Sequence, residues 1–128
     1  MPRAQRFALA CLALLAPFGA TAQPDNYPAR PVKILVGYPP GGASDTISRI
    51  IGQELSKLNG QSFVTENRPG VGGMLAMQLV AKAPADGYTL GLAVSGTLTT
   101  GPHLQSTKLY DPLTDFQPLG MVAKAPMV

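Results

Sequence analysis

The chain is 128 residues long, with a formal net charge of +3, one cysteine, one histidine and no tryptophan. That length allows one modest core, and the supply of Cys and His is too small for a zinc centre or an imidazole-based triad. Two of the positive charges belong to an expected export signal, so the mature chain, at about +1, offers no reason to expect nucleic acid, and 14 glycines with 13 prolines stay below the share that marks disorder.

The first stretch reads as an export signal. Arg3 and Arg6 form a basic start, Phe7 to Leu15 is an uncharged apolar run, and Ala20-Thr21-Ala22 is a small-x-small cleavage pattern. The apolar run is too short to span a bilayer. Residues 1–22 are therefore expected to be removed, leaving 23–128 with no stable membrane insertion. Cys11 and the two arginines leave with the signal, so the mature chain has no thiol and no disulfide.

Gln23 to Arg30 is a polar, proline-punctuated lead-in. Val32 to Gly37 is a nearly continuous apolar run, the pattern of a strand buried on both faces. Tyr38-Pro39-Pro40-Gly41-Gly42-Ala43-Ser44-Asp45 follows, and from Ser44 the period becomes helical. Ile47, Ile50, Ile51, Leu55 and Leu58 share one face; Arg49, Gln53, Glu54 and Lys57 fall mostly on the other. Ser44 or Asp45 is the expected N-cap, and Asn59-Gly60 the stop.

Ser62 to Glu66 is the second predicted strand. The glycine-rich turn Asn67 to Gly73 opens a second helix, Met74 to Lys82, with Leu75, Leu79 and Val80 as its apolar stripe. Pro84 to Gly87 is a turn, Thr89 to Val94 a third strand, and Ser95-Gly96-Thr97 a small polar loop. A fourth strand is expected near Leu119 to Ala123. The β-α-β-α-β order predicts an α/β layer with a mostly parallel sheet and flanking helices. All three glycine-bearing loops follow strand carboxyl ends, where such sheets bind ligands, so they should share one rim.

A helix opened by Gly-Gly presents backbone N–H groups without intrahelical partners at the positive end of a dipole. Gly41, Gly42, Ala43 and Ser44, with the Ser44 hydroxyl, can therefore seat an anion; the same glycines also suit a plain chain reversal. Asp45 would oppose a nearby anion, so its work is to cap its helix or fix the loop. Neither phosphate-loop spacing, G-x-x-x-x-G-K-[ST] or G-x-G-x-x-G, is present. No Ser sits in a G-x-S-x-G elbow, His103 reads as solvated, and Asp111 and Asp115 read as turn acids. Met74, Met77, Met121 and Met127 read as core. The inventory points away from an enzyme, with no metal and no cofactor.

Several motifs occur in a consistent order. They are Tyr27-Pro28, Arg30-Pro31-Val32, Pro39-Pro40-Gly41-Gly42 with Asp45, Gly60-Gln61 and Glu66-Asn67-Arg68-Pro69-Gly70 with Gly72-Gly73. Ala83-Pro84-Ala85-Asp86-Gly87-Tyr88-Thr89-Leu90 and Tyr110-Asp111-Pro112 with Asp115-Phe116 complete the set. Together they resemble the Bug-type extracytoplasmic solute receptors, the substrate-binding components of tripartite tricarboxylate transporters. The resemblance implies a periplasmic type II binding-protein fold, two lobes closing on a small carboxylate, and membrane permease subunits as partners. It places ligand contacts at Gly41, Gly42, Ala43, Ser44 and Asp45 and at Ser95, Gly96, Thr97 and Leu98, with Asn67, Gly72 and Gly73 nearby. It also implies a longer chain, so residues 23–128 are expected to form an incomplete N-terminal lobe that binds weakly or not at all alone. A non-binding fragment of such a receptor is the alternative reading, and a small exported hydrolase a distant one.

Overall fold

A computed structural model of the chain describes residues 26–124. The export signal expected at 1–22 lies outside the described residues, as does Met127. The sheet has three parallel strands in the order β2-β1-β3: β1 is Val32–Val36, β2 Phe63–Asn67 and β3 Thr89–Leu92. β1 lies in the middle because its side chains suit burial on both faces. Val32, Ile34, Leu35 and Val36 are all buried, each worth about 1.5–3 kcal/mol relative to exposure. Lys33 alone is exposed, and it pairs with Glu66 at 3.0 Å.

One helix covers each face. Helix α1, Ala43–Asn59, packs where Gly52 meets Phe63 and Ile34; helix α2, Met74–Lys82, packs with Met77 and Val80 over Gly91. Gly91 follows Leu90, the register partner of Ile34, so it points to the opposite side of the sheet. Helix α1 stops at Gly60, in the left-handed conformation (φ 69°), whose N–H bonds Ser56 O at 3.0 Å.

The seam between α1 and the sheet differs from the expected apolar face. The residues buried there are Asp45, Ser48 and Gly52, while Ile50 and Leu58 are exposed and Ile47, Ile51 and Leu55 are half-buried. The physical reason is close approach. A Cβ at Gly52 would lie 3.0 Å from Phe63 O, and Ser48 shares a 2.9 Å hydrogen bond with Thr65 Oγ1. One turn on, Ser56 Oγ accepts from the Phe63 N–H at 2.8 Å and donates to Gly52 O. Small and polar side chains join the helix to β2, and the larger apolar ones flank that line.

Other expectations need correcting. Helix α2 buries Met74, Ala76 and Met77; Leu79 is exposed and Leu75 and Val80 are only half-buried. β3 ends at Leu92 because the Val94 N–H and carbonyl are both bonded to Thr97 Oγ1. The segment after Ser95 is helical: a π-helical turn, Gly96–Thr100, runs into α3, Gly101–Leu104. Leu119 to Ala123 forms no strand, and Met121 is exposed, not core. Met74 and Met77 do form the core, with Tyr110, which packs edge-on against Phe116 at 5.3 Å.

At the amino ends of the strands the lead-in is clasped to the turn before β3. Tyr27 Oη donates to Gly87 O at 2.6 Å, Arg30 stacks on the Tyr88 ring and pairs with Asp86. A cavity of about 510 Å³ beside this clasp is lined by Leu55, Phe63, Leu90 and Leu119 among others.

Candidate functional site

The three glycine-bearing loops meet at the carboxyl ends of the strands, as their positions in the sequence require. Gly37 closes β1 against the second turn: a Cβ there would sit 2.4 Å from Gly73 O and 2.5 Å from Gly73 Cα. Gly73 (φ 92°) is in turn enclosed by the Tyr38 ring and the Thr97 methyl, both about 3 Å from where its Cβ would be. Tyr38 Oη donates to Gly72 O at 3.1 Å. Close backbone approach at Gly37 and Gly73 therefore brings the loops together there.

In the first loop, Gly42 is the N-cap, with extended backbone and no side-chain cap. This corrects the expectation of Ser44 or Asp45. The first intrahelical bond runs from the Thr46 N–H to Gly42 O. The N–H groups of Gly42, Ala43, Ser44 and Asp45 thus precede the helical ladder, at the positive end of a 17-residue helix. Gly42 and Ala43 are exposed and Ser44 half-buried.

Asp45 is only 4% exposed and its carboxylate is fully engaged. Arg49 Nε donates to both oxygens (3.1 and 3.0 Å), the Gly41 N–H to Oδ2 (2.9 Å) and Asn67 Nδ2 to Oδ1 (2.9 Å). Hydrogen bonding from Arg49, then from Gly41 and Asn67, holds this carboxyl well below the usual carboxylate range. Its charge is matched by Arg49 and does not stand unpaired beside the helix start. Asp45 fixes the loop, one of the two roles open to it from the sequence.

The third loop is built differently. Thr97 is buried, its hydroxyl donating to Val94 O at 2.8 Å and accepting from the Val94 N–H. The Thr97 and Leu98 N–H groups both bond Val94 O, and Leu98 packs against the core. Tyr110 Oη donates to Thr97 O. Of the four residues expected there, Ser95 and Gly96 are exposed at the rim, whereas Thr97 and Leu98 turn inward. In the same way the Gly41 N–H is taken by Asp45. Gly72 is exposed, Gly73 is buried between the loops, and Asn67 is half-buried behind the first loop.

Sequence reasoning missed Gly37, Tyr38, Arg49 and Tyr110 as parts of this assembly. Arg49 carried a usable signal, since Asp45 and Arg49 are four apart on one helix and must be neighbours. Among the described residues no group of three or more His, Cys, Asp or Glu could hold a metal, and His103 is exposed on α3. No helix among them is long and apolar enough to cross a membrane.

A parallel α/β sheet with its strand-end loops gathered on one rim is the layout of a ligand-binding lobe. Known proteins narrow the class. The family model described as "Tripartite tricarboxylate transporter family receptor" matches residues 47–128, and the chain belongs to that family. The family is one of transport receptors and not of enzymes. Protein BugT of Bordetella pertussis is 40% identical over 124 residues, covering 91% of this chain and 38% of its own length. Among solved structures, MatC from Rhodopseudomonas palustris with bound malate is 39% identical, TM-score 0.68, over 72% of this chain and 31% of that one. An R. palustris protein with adipate, Rpa4515, is 42% identical, TM-score 0.66, over 69% and 29%. The periplasmic binding protein BugD is 36% identical, TM-score 0.68, over 72% and 30%. The fold is thus that of part of a periplasmic binding-protein lobe, and the chain spans between about a quarter and two fifths of the length of the curated relatives it matches.

Proposed function

We propose that this chain forms the carboxylate-gripping wall of a periplasmic receptor that captures a small carboxylate and passes it to the permease subunits of a tripartite tricarboxylate-type transporter. One observation carries the reading: the N–H groups of Gly42, Ala43 and Ser44 precede the first intrahelical bond, in a loop that follows β1 at the strand ends where Gly37, Tyr38, Gly73 and Thr97 come together. Backbone donors at a helix start favour an anion without a charged side chain, which suits a receptor that must also release its cargo. Ser44 supplies a hydroxyl, Ser95 and Gly96 are the exposed residues of the third loop, and Gly72 that of the second. Thr97, Leu98, Gly73, Gly41, Asp45 and Asn67 support these groups from behind. Malate and adipate, the ligands of two structural neighbours, are both small dicarboxylates. Residues 1–22 act as the export signal that delivers the chain to the periplasm, with cleavage after Ala22.

The test is differential scanning fluorimetry and calorimetry on the protein starting at Gln23, with malate, adipate and the uncharged diamide of malate. A carboxylate at about a hundred times its Kd raises stability by about 2.7 kcal/mol, and the diamide leaves it unchanged. Ser44→Ala weakens carboxylate binding several-fold. Because an incomplete lobe is expected to bind weakly, each ligand is taken to its solubility limit. The reading is overturned if no carboxylate shifts the melt there, or if the diamide binds as tightly as the acid.

A further inference from the structure

The first loop is bracketed by two side chains that do not lie on the exposed rim. Asn67, at the end of β2, donates Nδ2 to Tyr38 O at 3.0 Å. Asp45, in the first turn of α1, accepts the Gly41 N–H at 2.9 Å. Between the anchored groups lie only Pro39 and Pro40, whose rings fix φ and leave few paths across the gap. The anchors are also bonded to each other, Asn67 Nδ2 to Asp45 Oδ1 at 2.9 Å, and Arg49 joins both, reaching Asn67 Oδ1 at 3.2 Å. The result is one closed network of side chains from α1 and β2, holding the loop at each end.

We infer that Asp45, Asn67 and Arg49 are positioning residues for the carboxylate seat: they hold Tyr38 to Gly41 in place so that the Gly42, Ala43 and Ser44 N–H groups face the rim before a ligand arrives. The inference rests on the proposed carboxylate reading. A loop ordered in advance spares the ligand the cost of ordering it, so the clamp strengthens binding without touching the ligand. The network is also charge-balanced. Asp45 and Arg49 cancel each other next to the seat, leaving the backbone dipoles to select the anion.

This balance gives a test in which positioning and plain electrostatics have opposite signs. Asp45→Ala leaves the Arg49 charge unpaired, so electrostatics alone would tighten binding of an anion, whereas loss of the clamp weakens it. Calorimetry with malate is expected to show binding at least about tenfold weaker in Asp45→Ala and in Asn67→Ala. The double variant is expected to lose little beyond the poorer single, because one network is being broken. Asn67→Ala changes no charge, so the salt dependence of its Kd stays that of the parent. Melts by circular dichroism identify a temperature at which each variant is folded, and Asn67→Ser replaces the alanine variant if that one is not. Amide exchange at Gly41 is the second readout, protected in the parent and accelerated in both variants. Malate binding by Asp45→Ala that equals or exceeds the parent's overturns the inference. If the parent binds no carboxylate, the functional reading fails by itself, and exchange still decides the clamp: faster Gly41 exchange in the Asn67 variant upholds it, and unchanged exchange overturns it.

Discussion

Gly37 and Gly73 meet backbone to backbone, close enough that a methyl group on Gly37 would lie 2.4 Å from the Gly73 carbonyl oxygen. Nothing flexible stands between them. Gly37→Ala must therefore push the second turn away from the end of β1 and is expected to cost about 1–3 kcal/mol, read as a lower urea midpoint. Gly91→Ala is the control. Its new methyl would meet the ends of Val80 and Met77, at 3.0 Å or more, and those side chains can give way, so the loss stays below about 1 kcal/mol.

Val71 has φ 50°, a left-handed conformation that a β-branched residue rarely adopts, and it is half exposed. Such a residue stores strain of about 1–3 kcal/mol. Asparagine tolerates this region far better. Val71→Asn is expected to raise the melting temperature, and Val71→Ile to leave it unchanged or lower it.

Tyr110→Phe removes the hydroxyl that bonds the Thr97 carbonyl, leaving that oxygen without this partner under the third loop. A buried acceptor stripped of its donor costs about 1–3 kcal/mol. Amide exchange from Ser95 to Leu98 is expected to accelerate while the strands stay protected.

The titrating groups set stability limits at both ends of the pH scale. Asp45 is held low by Arg49 and then by Gly41 and Asn67, Glu66 by Lys33 and Arg68, and Asp111 by Lys108 and the Leu113 N–H. Their folded values lie below the unfolded ones, so their contribution is complete above the ordinary carboxylate range of about 4 and is lost as pH falls through the folded values. Burial, foremost among the causes, raises Tyr27 and Tyr110. Their contribution is complete below about pH 10 and is lost as pH rises through the raised values. Urea midpoints measured across this range are expected to fall on both flanks, and Asp45→Asn to make the acid flank shallower.

Much of this architecture is legible from residue patterns. The apolar run Val32 to Gly37 gives the central strand, and the position of each glycine-bearing loop after a strand gives the shared rim. The α1 seam is not legible by hydrophobic period, because close packing on β2 selects Ser48, Gly52 and Ser56 over the larger residues beside them. Leu119 to Ala123 has strand composition but no neighbouring strand to bond with among the described residues, and composition cannot supply one. At the site, the glycines point to the loops, but which N–H groups stay uncommitted depends on Asp45 and Thr97, whose partners are fixed only in three dimensions.

The middle place of β1 has a consequence for the order of assembly. Val32 bonds forward to the Ser62 carbonyl on one side, while Lys33 waits on the other for the Tyr88 carbonyl. In a chain that emerges amino end first, the most apolar strand comes out early, yet it stays open along one edge until β3 has followed it. The sheet closes only when Thr89 to Leu92 have emerged. The Tyr27 clasp, which needs Gly87, is then free to latch the lead-in behind it.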